Sequence, residues 1–195
     1  PEKGSILLNG VDINEYKETE YRKVLSVVFQ DYQIFSFSVR ENLSFGQGAD
    51  DGRIRAALEQ AGVLESVEGL PLGIHTPLYR DFEKEGAELS GGEMQKIAIA
   101  RALYRDAPVV VLDEPTASLD PYAEWEVFRR FQDMAEHRTA IYISHRLSSC
   151  RFCDAVAVFD EGRLAEYGSH EQLIQDGKLY AQMWQAQAHY YRSQC

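Results

Sequence analysis

Apolar positions along the chain alternate between two periods, and each change of period marks a change of element. Val24 to Phe29 (Val-Leu-Ser-Val-Val-Phe) is a β-branched, nearly continuous apolar run, which predicts a strand covered on both faces. Val109 to Leu112 and Thr139 to Ile143 repeat that pattern and predict two more buried strands. Between the first and second of these, from about Val39 to Leu103, the period becomes helical. One helix is expected from Arg53 to Ala61, stopped by Gly62, and another from Glu93 to Leu103. On the latter Met94, Ile97, Ala98 and Arg101 share a face at helical spacing.

Turn chemistry supplies the punctuation. Pro1 to Gly4 reads as a turn and Ser5 to Leu8 as a short strand, closed by the hairpin dipeptide Asn9-Gly10. Asp120-Pro121 places a capping acid and a first-turn proline at the head of a helix expected to run to about His137. Ala155 to Asp160 and Arg163 to Tyr167 flank Glu161-Gly162 and predict a hairpin. Ser169 with Gln172 forms a capping box that opens a C-terminal helical region. Strands alternating with helices imply an α/β fold, with the helix-rich middle inserted into it.

Composition changes this picture little. A chain of 195 residues, 45% hydrophobic and 26% charged, is an ordinary globular domain with room for a core. The net charge of −11 argues against a nucleic-acid partner, which would need a basic face. No apolar stretch approaches the roughly 18 residues of a membrane span. Cys150 and Cys153 have C-x-x-C spacing, but no second pair or clustered histidines complete a metal set. With Cys195 they are read as reduced, partly buried thiols.

Candidate chemistry lies at the ends of the expected strands. Val109-Val110-Val111-Leu112 runs into Asp113-Glu114, so two carboxylates should stand at the carboxyl edge of a sheet, where open α/β folds bind ligands. One such acid can hold Mg²⁺ while its neighbour polarises a water; a solvated acidic turn is the plainer alternative. Leu89-Ser90-Gly91-Gly92-Glu93 joins two glycines and a hydroxyl to a helix start, a combination that suits an anion. Its plainer alternative is a glycine turn. His145, after Ser144, and Gln30 each follow an expected strand, and alone each is compatible with a structural role.

Taken in this order and spacing, these segments resemble the nucleotide-binding domain of ATP-binding cassette (ABC) transporters from Pro1 to about Tyr180. Ser90, Gly91, Gly92 and Glu93 resemble the family signature, with Gln95 and Arg101-Ala102 matching its continuation. Val109 to Glu114 resembles Walker B, Ser118-Leu119-Asp120 the D-loop, Gln30 the Q-loop glutamine and His145 the switch histidine. Ser38 to Gly46, Ser144 to Ser148 and Glu166 to Leu173 resemble the exporter branch, in which membrane-spanning and ATPase domains share one chain. Glu93 departs from the commoner glutamine.

The resemblance implies a P-loop NTPase-like, mostly parallel sheet, with a helical signature subdomain over about 40–105 and the remainder forming the α/β core and C-terminal helices. It implies ATP and Mg²⁺ as ligands, with Glu114 and His145 catalytic, Asp113 and Gln30 at the metal, and Ser90, Gly91, Gly92, Glu93, Gln30 and Asp120 at the nucleotide. The implied partners are a second such domain, as homodimer or heterodimer, and a transmembrane domain, at the cytoplasmic face of a membrane. The phosphate-loop form G-x-x-x-x-G-K-[ST] occurs nowhere in the 195 residues. The expectation is therefore of a domain cut after Walker A, without its first strands and helix, inactive alone and exposing apolar sheet surface. An importer-type ATPase subunit and, for the chain alone, a non-catalytic dimerisation module are the alternatives.

Overall fold

A computed structural model describes residues 4–45, 48–79, 86–115, 124–125, 127–129 and 138–192. The chain divides into two compact units, Pro1–Ile143 and Ser144–Cys195.

The first unit opens with the two-residue strands β1 (Leu7–Leu8) and β2 (Val11–Asp12), paired antiparallel across Asn9-Gly10. Both turn residues have positive φ, 52° and 82°, which suits the Asn-Gly dipeptide. A short helix α1 (Glu18–Tyr21) leads to β3 (Leu25–Val28). Strands β3, β4 (Val109–Asp113) and β5 (Thr139–Ile143) form a parallel sheet in that order, with Val28 opposite Leu112 and Asp113 opposite Ile143. The expected α/β class with a mostly parallel sheet is what the chain forms.

Helices α2 (Val39–Ser44), α3 (Asp51–Ala61), α4 (Leu64–Glu68) and α5 (Gly91–Arg105) lie between β3 and β4 in sequence. The long helix α5 packs on α2, α3 and β3. Its buried Ile97, Ala98 and Ala100 share one core with Ile54 and Leu58 of α3, Val39 and Leu43 of α2, and Val110 and Leu112 of β4. Ser26, buried in β3, donates from its hydroxyl to the Ala102 carbonyl at 3.0 Å and ties strand to helix. Helix α3 stops at Gly62, whose φ of 72° closes the C-terminal turn in a conformation that costs other residues energy.

Two expectations about burial are corrected. Thr139 to Ile143 was expected to be a buried strand, yet four of its five residues are exposed, with Ile141 at 49% and Ile143 at 50%. Val24 to Phe29 was expected to be covered on both faces, but only Ser26 and Val28 are buried, while Val27 and Phe29 are exposed. Apolar composition shows that a strand can be buried; what packs against each face decides whether it is. Of the helix expected from Asp120 to about His137, residues 124–125 and 127–129 are helical, and the rest lies outside the described residues.

The second unit contains the hairpin β6 (Val156–Asp160) and β7 (Arg163–Gly168), then α6 (His170–Asp176) and α7 (Leu179–Arg192). Its core is small: Leu147, Val158, Leu173 and Tyr180, flanked by Val156, Ile174 and Trp184. Ser169 and Gln172 close the expected capping box at α6. Tyr180 is fully buried and its hydroxyl meets His170 Nδ1 at 2.8 Å; burial, above all, pushes the phenol far above its usual pKa. Cys150 and Cys153 are half-buried free thiols, both pushed up by burial.

Candidate functional site

Strand register places Gln30 and Glu114 at the same edge of the sheet. Each stands two residues beyond the pair Val28–Leu112, at the carboxyl ends of β3 and β4. Asp113 is the last residue of β4 and is half-buried, as is Glu114 after it. Glu114 has φ 45°, a left-handed conformation that costs a glutamate about 1 kcal/mol or more. Its N–H donates to the Ile143 carbonyl at 2.9 Å, so the parallel ladder holds the turn in place. Strain of this kind, maintained by surrounding structure, concentrates at functional positions.

Ser90 is the N-cap of α5, and Gly91 and Gly92 form the helix's first turn rather than a loop before it. A capping box closes around them. The Ser90 N–H and hydroxyl donate to Glu93 Oε2 at 2.9 and 2.7 Å, and the Glu93 N–H donates to Ser90 Oγ at 3.3 Å. The Ser90 hydroxyl, then the Ser90 N–H, holds the Glu93 carboxyl below its ordinary pKa. Glutamate performs here the capping task that glutamine could also perform. Gly91 is the informative residue of the turn. A Cβ built on it meets nothing within 4 Å, and its φ is not left-handed. Neither backbone nor packing demands glycine there.

The segment after β3 is fastened to α5 by contacts that the sequence pattern does not disclose. Arg101 Nε donates to the Asn42 carbonyl at 2.7 Å, Nη1 to the Gln33 carbonyl at 3.0 Å, and Nη2 to Asn42 Oδ1 at 3.2 Å. The guanidinium also lies 5.8 Å from the Phe35 ring centre and 5.0 Å from that of Phe45, within cation–π range. Asn42, fully buried, returns its side-chain amide to the carbonyls of Phe35, Phe37 and Ser38. Phe35 and Phe45 of this clamp, with Phe37 and Leu72, are nevertheless exposed, beside a groove lined by Phe37, Ser38, Arg40, His75 and Pro77. These clustered exposed aromatics make this face a candidate interaction surface.

His145 lies in the second unit and is exposed. The Ser144 hydroxyl accepts from the Arg146 N–H at 2.9 Å, a side-chain turn that presents the residue between them. The side-chain amide of Gln187 on α7 brackets this stretch, donating to the His145 carbonyl and accepting from the Leu147 N–H. Asp120 lies outside the described residues. Among the described residues no cluster of three or more His, Cys, Asp or Glu side chains could hold a metal. An Mg²⁺ that keeps several waters needs only one or two protein oxygens, and Asp113 and Gln30 are oxygen donors of the right kind.

A family model described as ABC transporter matches residues 1–117, more than half of the chain. The chain belongs to the ABC transporter family. It is 41% identical over 189 residues to an ATP-dependent lipid A-core flippase of Bordetella pertussis, covering 96% of this chain and 30% of that protein. A protein of the same description from Alcanivorax borkumensis is 40% identical over 186 residues, 94% of this chain and 31% of the relative. Among solved structures, a bacterial Atm1-family ABC exporter with ATP bound aligns with a TM-score of 0.86 at 38% identity, over 95% of this chain and 32% of that one. This ABC family member thus spans about a third of the length of the proteins it resembles. Among its described residues no helix is long and apolar enough to cross a membrane.

Proposed function

We propose that the chain is part of the ATPase domain of an ABC exporter, a domain that in the whole protein hydrolyses ATP to drive a substrate across a membrane, while this chain without a phosphate loop is inactive alone. The observation that carries this reading is Gly91: its open approach suits an external phosphate that must come close to backbone N–H groups at the head of α5. The relatives described as a flippase and an exporter support the direction of transport. So does the exporter-like stretch Ser38 to Gly46.

In this reading two such domains, identical or not, meet head to tail, and each ATP lies between the phosphate loop of one and the Ser90-Gly91-Gly92 turn of the other. Glu93 keeps Ser90 in place through the capping box. At the sheet edge Asp113 and Gln30 hold Mg²⁺, which neutralises phosphate charge. Glu114 polarises the attacking water, His145 orients the γ-phosphate and Asp120 contributes from the D-loop. Residues from about 40 to 105 form the helical signature subdomain. The transmembrane domain sits on the Phe35–Phe37–Leu72 surface, on the cytoplasmic side, where Gln30 and the Arg101 clamp can report its movement.

Glu114→Gln in the full-length protein tests the assignment. The amide keeps shape but loses basicity, so ATP binding should stay within about threefold while turnover falls by about 100-fold or more. Near-normal hydrolysis would remove Glu114 from its role.

A further inference from the structure

Tyr32 stands two residues beyond Gln30, and its hydroxyl donates to the Gly91 carbonyl at 3.1 Å. This bond differs in kind from the capping box on the same turn. The box closes within four residues of one helix end, so it fixes the turn's shape but travels with α5 wherever that helix goes. The Tyr32 bond comes from outside the helix, from the chain leaving β3, and sets where the turn stands relative to that strand end.

A second tyrosine braces the next step. The Tyr79 hydroxyl donates to Met94 Sδ at 3.0 Å, and the Tyr79 N–H donates to the Ala87 carbonyl at 2.9 Å, just before the signature. The two phenols lie close enough for Tyr79 to help burial, the larger cause, raise the Tyr32 pKa. Tyr32 is accordingly a neutral hydrogen-bond donor throughout the working range of pH. Further along α5 the Arg101 clamp fastens the same segment again, at Gln33 and Asn42.

We infer that Tyr32 is a positioning residue for nucleotide binding: its hydroxyl on the Gly91 carbonyl holds the Ser90-Gly91-Gly92 turn in register with the Gln30 end of β3. The inference rests on the proposed role of that turn as a phosphate site. A displacement of the segment that follows Gln30 would then reach the turn through one side chain, without deformation of the helix.

Tyr32→Phe deletes only the hydroxyl and leaves the ring in place. In the full-length protein reconstituted in nanodiscs, KM for ATP should rise about fivefold, equivalent to about 1 kcal/mol, with kcat within about twofold. Amide exchange at Glu93, Met94 and Gln95 should quicken, while Ile99 to Leu103 on the same helix stay as protected as before. An unchanged KM, or exchange that rises along all of α5 equally, would overturn the assignment, since a purely structural bond predicts one or the other. If the unsubstituted protein hydrolyses no ATP, the domain reading fails. The exchange pattern then still judges Tyr32 by itself: localised quickening keeps it as the pin on the turn, and none removes it.

Discussion

At the scale of single residues, the positions that matter are those whose identity the chain's own packing does not explain. Gly91 has room for a methyl group and a helical backbone, so alanine should fit better than glycine on structural grounds. Gly91→Ala is expected to leave the stability of this chain unchanged or raise it by about 0.5 kcal/mol, measured by denaturant unfolding. If the turn is the phosphate site proposed above, in the full-length protein the same methyl would stand in the path of that phosphate. Turnover should fall by more than about tenfold, the factor that about 1.4 kcal/mol of lost transition-state contact produces. Loss of stability together with activity would show that glycine is structural after all. Glu114 is the complementary case, a residue in a conformation it does not favour, held by a ladder hydrogen bond to Ile143.

At the scale of elements, α2 and α5 begin alike. Ser38 with Glu41 and Ser90 with Glu93 both close capping boxes, and in each the serine holds the glutamate carboxyl below its ordinary pKa. A depressed folded-state pKa contributes stability above the unfolded value, taken here as 4.5, and loses it as pH falls through the folded value. Glu93→Gln keeps a box-forming side chain but removes the titration. Its stability at pH 7 should lie within about 0.5 kcal/mol of the unsubstituted chain. Denaturant midpoints below pH 4.5 should fall less steeply for the variant; equal acid slopes would mean the box is open in solution.

The same elements show how far sequence patterning reaches. The order of strands and helices, the hairpin at Glu161-Gly162 and the box at Ser169 follow from local rules of period and turn chemistry. So do the placements of Gln30, Asp113 and Glu114 at one sheet edge, because a strand's end lies where its apolar run stops. The boxes at Ser38 and Ser90 obey the same Ser-x-x-Glu/Gln rule as the one at Ser169 and are legible in the sequence by it. Tyr32, Gln187 and the Arg101–Asn42 clamp were not readable. Their partners lie 40 to 68 residues away, and a hydrogen bond to a distant carbonyl leaves no mark on the local hydrophobic period.

At the scale of the whole molecule, the parallel sheet has an edge that its composition leaves unprotected. β5 pairs with β4 on one side and with no other strand among the described residues. Its Ile141 and Ile143 are half-exposed, and Val27 and Phe29 add apolar surface at β3. Edge strands that remain monomeric usually carry charges or prolines, and Thr-Ala-Ile-Tyr-Ile carries neither. The net charge of −11 opposes association at long range but is screened beyond roughly 8 Å at physiological salt, whereas strand pairing acts at contact. The isolated chain should therefore self-associate with concentration, more strongly as salt is raised. Ile141→Lys places a charge at a half-exposed position of the edge strand, outside the buried core cluster. Sedimentation velocity should show the variant shifted toward monomer, with an unchanged unfolding midpoint at low concentration. A chain that is already monomeric at high salt, or a variant that associates as before, would show that the β5 edge is not what drives association.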